Sequence, residues 1–265
     1  YVSYEYTKQD FDSQLFTKLQ SIIAAFGAIG TENPVTMASY LAILNGAVLI
    51  AIKQVQKDTD DDNDGINDSA SEAAFITAIG DVEGALPGGA AFPDYLVPLK
   101  GDSLTLFQYL AQHCDVQSSI RFRAERTGLD ILTVSLTDAE GNQTSNLVDG
   151  TYLAAAIAGN RSAPTIDVAT PWTRALIVGF DEVARVLDAV EQNQVAVRGV
   201  TLVHQQGLSI RIRQGLTTDM TNILTKIPTV ITIADEVQRQ ARTALDRFVG
   251  TKFLPGVTGQ IETQM

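Results

Sequence analysis

Residues Gly199–Gly256 carry the pattern that most limits what this chain can become. Leu208, Ile210 and Ile212 alternate with Ser209, Arg211 and Arg213, and a period of two means a strand with one buried and one wet face. Val200–Val203 is a short apolar run before it, and His204–Gly207 reads as the connection of a hairpin. Thr229–Ile233 is β-branched throughout and predicts a third strand. A helix opening at Asp235 is expected next, with Val237, Ala241, Leu245 and Phe248 on one face, Arg239 and Arg242 on the other, and Gly250 as its stop. A hairpin, a further strand and an amphipathic helix in succession call for sheets covered by helices, an α/β architecture.

Composition narrows the partners more than the fold. A chain of 265 residues with 45% apolar content can bury a substantial core in one or two domains. No run approaches the ~20 apolar residues of a membrane span. The net charge of -12 leaves no basic surplus to neutralise phosphates, which argues against nucleic acid. Cys114 is the only cysteine, so no intramolecular disulfide forms and a reducing site of synthesis is expected. The chain starts at Tyr1 and stops at Met265, which reads as a fragment or processed product expected to be monomeric in solution.

The N-terminal part alternates strand and helix signals. Tyr1–Thr7 alternates aromatic and polar residues and predicts a strand. Phe11, Leu15, Phe16, Leu19, Ile22, Ile23 and Phe26 have helical spacing, with Asp10 or Asp12 as cap and Gly27 as stop. Asn33-Pro34 starts a second helix that runs through Leu44 and ends at Asn45-Gly46, and Val48–Val55 is an apolar strand. Further on, the pattern predicts a helix from about Ser69 to Gly80 and a short strand at Tyr95–Leu99. A helix capped by Asp102 or Ser103 follows, then strands around Ile120–Ala124 and Leu132–Leu136 and a turn at Glu140-Gly141-Asn142. Tyr152–Gly159 is small and apolar, and Asp181 is read as the cap of a helix carrying Val183, Val186, Leu187 and Val190.

Lys57–Ser69 is the sharpest local signal. Asp60, Asp62 and Asp64 followed by Gly65 match D-x-D-x-D-G, which gathers hard oxygen ligands around a tight turn, and Asp68 falls on the ninth position. The twelfth position is Ser71 rather than the bidentate Glu of an EF-hand, and Glu72 comes one residue late. The segment resembles the short calcium loops of thrombospondin-type repeats. Two readings stand side by side: a calcium site at Asp60, Asp62, Asp64 and Asp68, or a solvated acidic loop.

Taken together, these motifs resemble the contractile-tail sheath family, the outer shortening tubes of contractile phages and related injection machines. The resemblance rests on two blocks. One is Phe26-Gly27, then Asn45-Gly46-Ala47, then Val48–Val55. The other is Gly215-Leu-Thr-Thr ending a strand, then an apolar strand, then a long helix from Asp235 closing with Phe248-Val249-Gly250. Tyr152–Gly159 matches a further small-residue stretch of the family, although the Pro164–Pro171 segment follows it here instead of preceding it. The resemblance implies a tail-sheath-like core with mixed β-sheets flanked by helices, built from residues 1–58 and 147–265, with an inserted second lobe at 59–146. It implies a structural subunit of the virion tail, made in the host cytoplasm. Such subunits join their neighbours by exchanging terminal strands, surround an inner tube and meet a baseplate. It also implies that Arg239 and Arg242 face the inner tube, against the plainer reading of a solvated helix face.

Catalytic patterns are missing from the sequence. His113 and His204 are the only histidines, and His113 beside Cys114 on a helix would point about 100° away from it. No nucleophile elbow, phosphate loop or H-E-x-x-H occurs. A non-enzymatic protein is expected. The rival readings are a calcium-dependent extracellular binding or adhesion module and a hydrolase with an unrecognised site.

Overall fold

The computed structural model describes residues 14–30, 33–60, 63, 65, 70–81, 95–99, 103–121, 134–137, 143–148, 150–167, 169–183, 186–207, 209–217 and 226–245. Helices and three small sheets make an α/β architecture, and every strand pair among the described residues is antiparallel. The first sheet pairs β1 (Gln14–Phe16) with β2 (Ile50–Ile52). Between them lie α1 (Leu19–Phe26) and α2 (Pro34–Leu44). The expected helix over Phe11–Phe26 is therefore shorter: Phe16 belongs to β1 and meets Phe26 edge-on at 5.7 Å.

Asn33 begins α2 as expected, accepting the Thr36 N–H, with Pro34 at the first helical position. Its amide also donates to the Phe26 and Ala28 carbonyls, at 2.6 and 3.1 Å, so one side chain joins the end of α1 to the start of α2.

The main core lies where α2 meets α5 (Gly150–Arg161), with β5 (Leu176–Ile177), β6 (Phe180–Val183), β7 (Leu202–Gln206) and β8 (Ser209–Gln214) around them. The small, apolar stretch at Tyr152–Gly159 is a helix buried almost all round; Leu153 and Ala156 are fully enclosed. Alanines and Gly159 let two backbones approach closely. A Cβ on Gly159 would lie 2.2 Å from the Ala42 carbonyl oxygen, so no other residue fits without moving the helices apart.

The Asn-Gly-Ala motif closes α2. Asn45 Nδ2 donates to the Leu41 and Val178 carbonyls, and its Oδ1 accepts the Val178 N–H at 3.0 Å. That pairing locks the helix end to the β5–β6 turn. Gly46 takes φ 115°, a left-handed conformation, beside Ala163.

A second core joins α3 (Glu72–Gly80) to α4 (Leu104–Arg121), with Phe75, Ile79, Leu106 and Leu110 buried. Ser71, not Ser69, caps α3, and Ser103 caps α4, accepting from Leu106 N and donating to Glu72 across the two helix starts. The strand expected at Ile120–Ala124 does not begin there, because α4 runs through Arg121. Tyr95–Leu99 forms no strand either; Tyr95, Val97 and Leu99 pack on the main core. The hairpin of β3 (Val134–Thr137) and β4 (Gln143–Val148) pairs through β3 with β6.

Three C-terminal expectations change. Asp181 lies in β6 rather than at a helix start. The helix comes later, as α6 (Ala189–Ala196), where Asp188 and Glu191 form a reciprocal capping box. His204–Gln206 are strand residues, so the hairpin connection begins only at Gly207. The β-branched run Thr229–Ile233 is helical, part of α7 (Pro228–Leu245). Pro228 supplies a helix-compatible φ at the first position. Thr232 Oγ donates back to the Pro228 carbonyl, the bond by which a β-branched residue is accommodated in a helix. Tyr1–Thr7, Glu140–Asn142 and Phe248–Gly250 lie outside the described residues.

Candidate assembly surfaces

The acidic loop lies between β2 and α3, the strand-to-helix setting expected for it. Its base is tied by Asp58. One carboxylate oxygen accepts the Ser71 N–H at 2.5 Å and the other accepts the Ser71 hydroxyl at 2.6 Å, thirteen residues on. These bonds to Ser71 hold the Asp58 carboxyl below the usual carboxylate range. Inside the loop, Asp60 Oδ2 accepts the Gly65 N–H at 2.9 Å, and Asn63 and Gly65 both take positive φ. Asp60 is thus folded over the turn. Asp62, Asp64 and Asp68 lie outside the described residues. Among the described residues, no group of three or more His, Cys, Asp or Glu side chains could hold a metal.

Arg239 and Arg242 belong to α7, and their side chains lie outside the described residues. The face expected to be buried is open at Val237, which is 60% exposed, and Ile233, one turn earlier in α7, is 39% exposed. No helix or strand packs extensively along α7 among the described residues.

Two sites went unnoticed in the sequence. At the end of α5, the Arg161 guanidinium lies 5.5 Å from the centre of the Trp172 ring, and its Nη2 donates to the Thr170 carbonyl. Burial pushes this guanidinium's pKa down, and the nearby Tyr95 partly offsets that. The signal was available only as an isolated Trp, which has no sequence partner to announce it.

The other site is on the open face of the β5–β8–β7 sheet, where Arg174, His204, Gln206 and Arg211 line a half-open depression. Arg174 has φ 71°, a left-handed conformation that costs a non-glycine residue about 1–2 kcal/mol. It persists because its N–H donates to Ile212 and its carbonyl accepts Arg211 Nη1 at 3.0 Å. Alternation did mark Arg211 as outward-facing; Arg174 and His204 join it only through strand pairing.

His113 and Cys114 are consecutive residues of α4. His113 is buried and stacks on Tyr109, one turn back in α4. No described helix is long and apolar enough to cross a membrane.

The order of helices and antiparallel sheets is a contractile-sheath fold. It superposes on the contracted helical sheath of the anti-feeding prophage with a TM-score of 0.67, over 97% of this chain and 72% of that one, at 12% identity. The sheath tail proteins of Desulfitobacterium hafniense and Listeria innocua are also similar, each with a TM-score of 0.52. Their identities are 13% and 10%, over 76% and 74% of this chain. The chain spans about half the length of these two bacterial proteins, 50% and 47%. No protein-family model and no curated protein matches the sequence.

Proposed function

We propose that this chain is a structural subunit of a contractile sheath, assembling helically around an inner tube and shortening to drive that tube through a target envelope. The observation that carries the reading is the match to the anti-feeding prophage sheath along nearly the whole chain. The partly open apolar face of α7 and the small edge-bearing sheets support it, because both are surfaces that a neighbour can cover. Other sheath subunits would join by strand exchange, and a baseplate would seed the stack. The protein would reside in the tail of a phage or phage-like particle, made in the host cytoplasm and without enzymatic activity.

Within this reading, residues 1–58 and 147–265 form the sheath core and 59–146 an added lobe. The separate α3–α4 core supports that division, and the β3–β6 ladder joins the two parts. Arg239 and Arg242 would meet the inner tube through weak, repeated ion pairs. Calcium at Asp60, Asp62, Asp64 and Asp68 would relieve the repulsion among these carboxylates; the Asp60–Gly65 turn supports this. Chain 1–265 alone would remain monomeric.

The test is expression of the chain within its full reading frame, beside chain 1–265, with electron microscopy of both. Ordered tubes from the longer product support the proposal. Persistent monomers, even with an added tube or baseplate template, overturn it.

A further inference from the structure

The open face of the β5–β8–β7 sheet carries positive charge that no carboxylate among the described residues balances. Strand pairing sets His204 opposite Arg211, and Arg211 opposite Leu176 on the other side. Arg211 spends one N–H on the Arg174 carbonyl, which fixes its guanidinium against the sheet. Neither Arg174 nor Arg211 has a carboxylate partner among the described residues. His204 Nδ1 is shut off from solvent without a hydrogen-bond partner. The depression that these side chains and Gln206 line has a volume of about 490 Å³, enough for a short polar segment. In a chain of net charge -12, two guanidiniums without a carboxylate partner converging on one depression mark a carboxylate-binding site.

The same chain holds the complementary charge. Lys57–Ser69 carries Asp58, Asp60, Asp61, Asp62, Asp64 and Asp68 against a single lysine. Asp58 is committed to Ser71 at the start of α3, which anchors this segment to the α3–α4 core. The depression belongs to a sheet whose other face, through Ile177, Ile210 and Ile212, is part of the main core. We infer that the Asp60–Asp64 segment of one copy of this chain, in its calcium-free form, docks in the Arg174–His204–Arg211 depression of a second copy. The contact goes beyond strand exchange and belongs to this chain's own acidic loop. It also pairs two charged features that otherwise repel their like in a crowded array.

The experiment measures binding of a labelled peptide spanning Lys57–Ser69 to chain 1–265 by fluorescence anisotropy at low salt. Saturable binding is expected, weakened at least tenfold in the R174Q/R211Q double variant and retained in R213Q, which removes an exposed charge outside the depression. A peptide with Asn at 60, 61, 62 and 64 should not bind. Circular dichroism melts establish that the arginine variants remain folded. Absence of binding overturns the proposal, as does equal binding to the double variant or equal loss in R213Q. The assay needs no tube, so its failure leaves the sheath reading standing; a single contact made of charges is screened at physiological salt and does not hold two copies of chain 1–265 together by itself, so persistent monomers in the assembly experiment leave this contact standing.

Discussion

Helices α5 and α7 are the two ends of one scale. α5 is packed until nothing more fits: small residues, a glycine against the α2 backbone, and Leu153 and Ile157 fully enclosed. Burial of each of those two side chains contributes about 1.5–3 kcal/mol. α7 keeps Ile233 and Val237 in water, which wastes the same kind of energy unless something covers them. The contrast teaches where stability resides and where a surface has been left open for a neighbour. Substitutions in α5 should therefore damage the monomer, and substitutions in α7 should spare it and damage the assembly.

The largest expected effect is Gly159→Leu. It forces α2 and α5 apart and should cost about 3 kcal/mol or more, read as a lowered urea midpoint. Leu110→Ala, in the separate α3–α4 core, should cost about 2–5 kcal/mol. If that lobe melts independently, the loss will appear in one of two transitions and not in both. Asn45→Ala leaves the Val178 N–H and carbonyl without their partner, and about 1–3 kcal/mol should be lost.

Acid sharpens the comparison locally. The Asp58 carboxyl titrates below its ordinary value in the folded chain, so its contribution is present above that value and is lost as pH falls through the depressed one. The amide shift of Ser71 should follow this titration with a midpoint under 3.8. An unshifted midpoint would mean the Asp58–Ser71 tie does not hold the loop. Val237→Lys should change monomer stability by no more than about 0.5 kcal/mol while abolishing the tubes that the proposed assembly would form. A large drop in monomer stability would show that α7 is part of the core after all.

Much of the fold was legible where local chemistry and final structure agree. Asn33-Pro34 announced a helix start, Asn45-Gly46 its end, and Ile210 and Ile212 a buried strand face. Misreadings fell where tertiary packing overrode a local preference. Thr229–Ile233 favours a strand by residue type, yet the proline before it and the apolar spacing after it make a helix. Phe16 fits the periodicity of α1 but is drawn into a ladder with β2, a partner more than thirty residues away. Of the candidate surfaces, the acidic loop was visible because its residues are consecutive. The arginine depression was not, because Arg174 and His204 meet only when β5 and β7 flank β8.

The Asn45 clamp also has a consequence in time. Its partner Val178 lies 133 residues further along the chain. A ribosome adding about 5–20 residues per second delivers that partner roughly 7–27 s after Asn45 itself. Until then the end of α2 has its cap but not its lock, and until α5 emerges, somewhat earlier, the α2 face that it covers stays open to solvent. The nascent N-terminal quarter is thus a stretch on which chaperones can act, and the closure of residue 45 on residue 178 marks the moment that window ends.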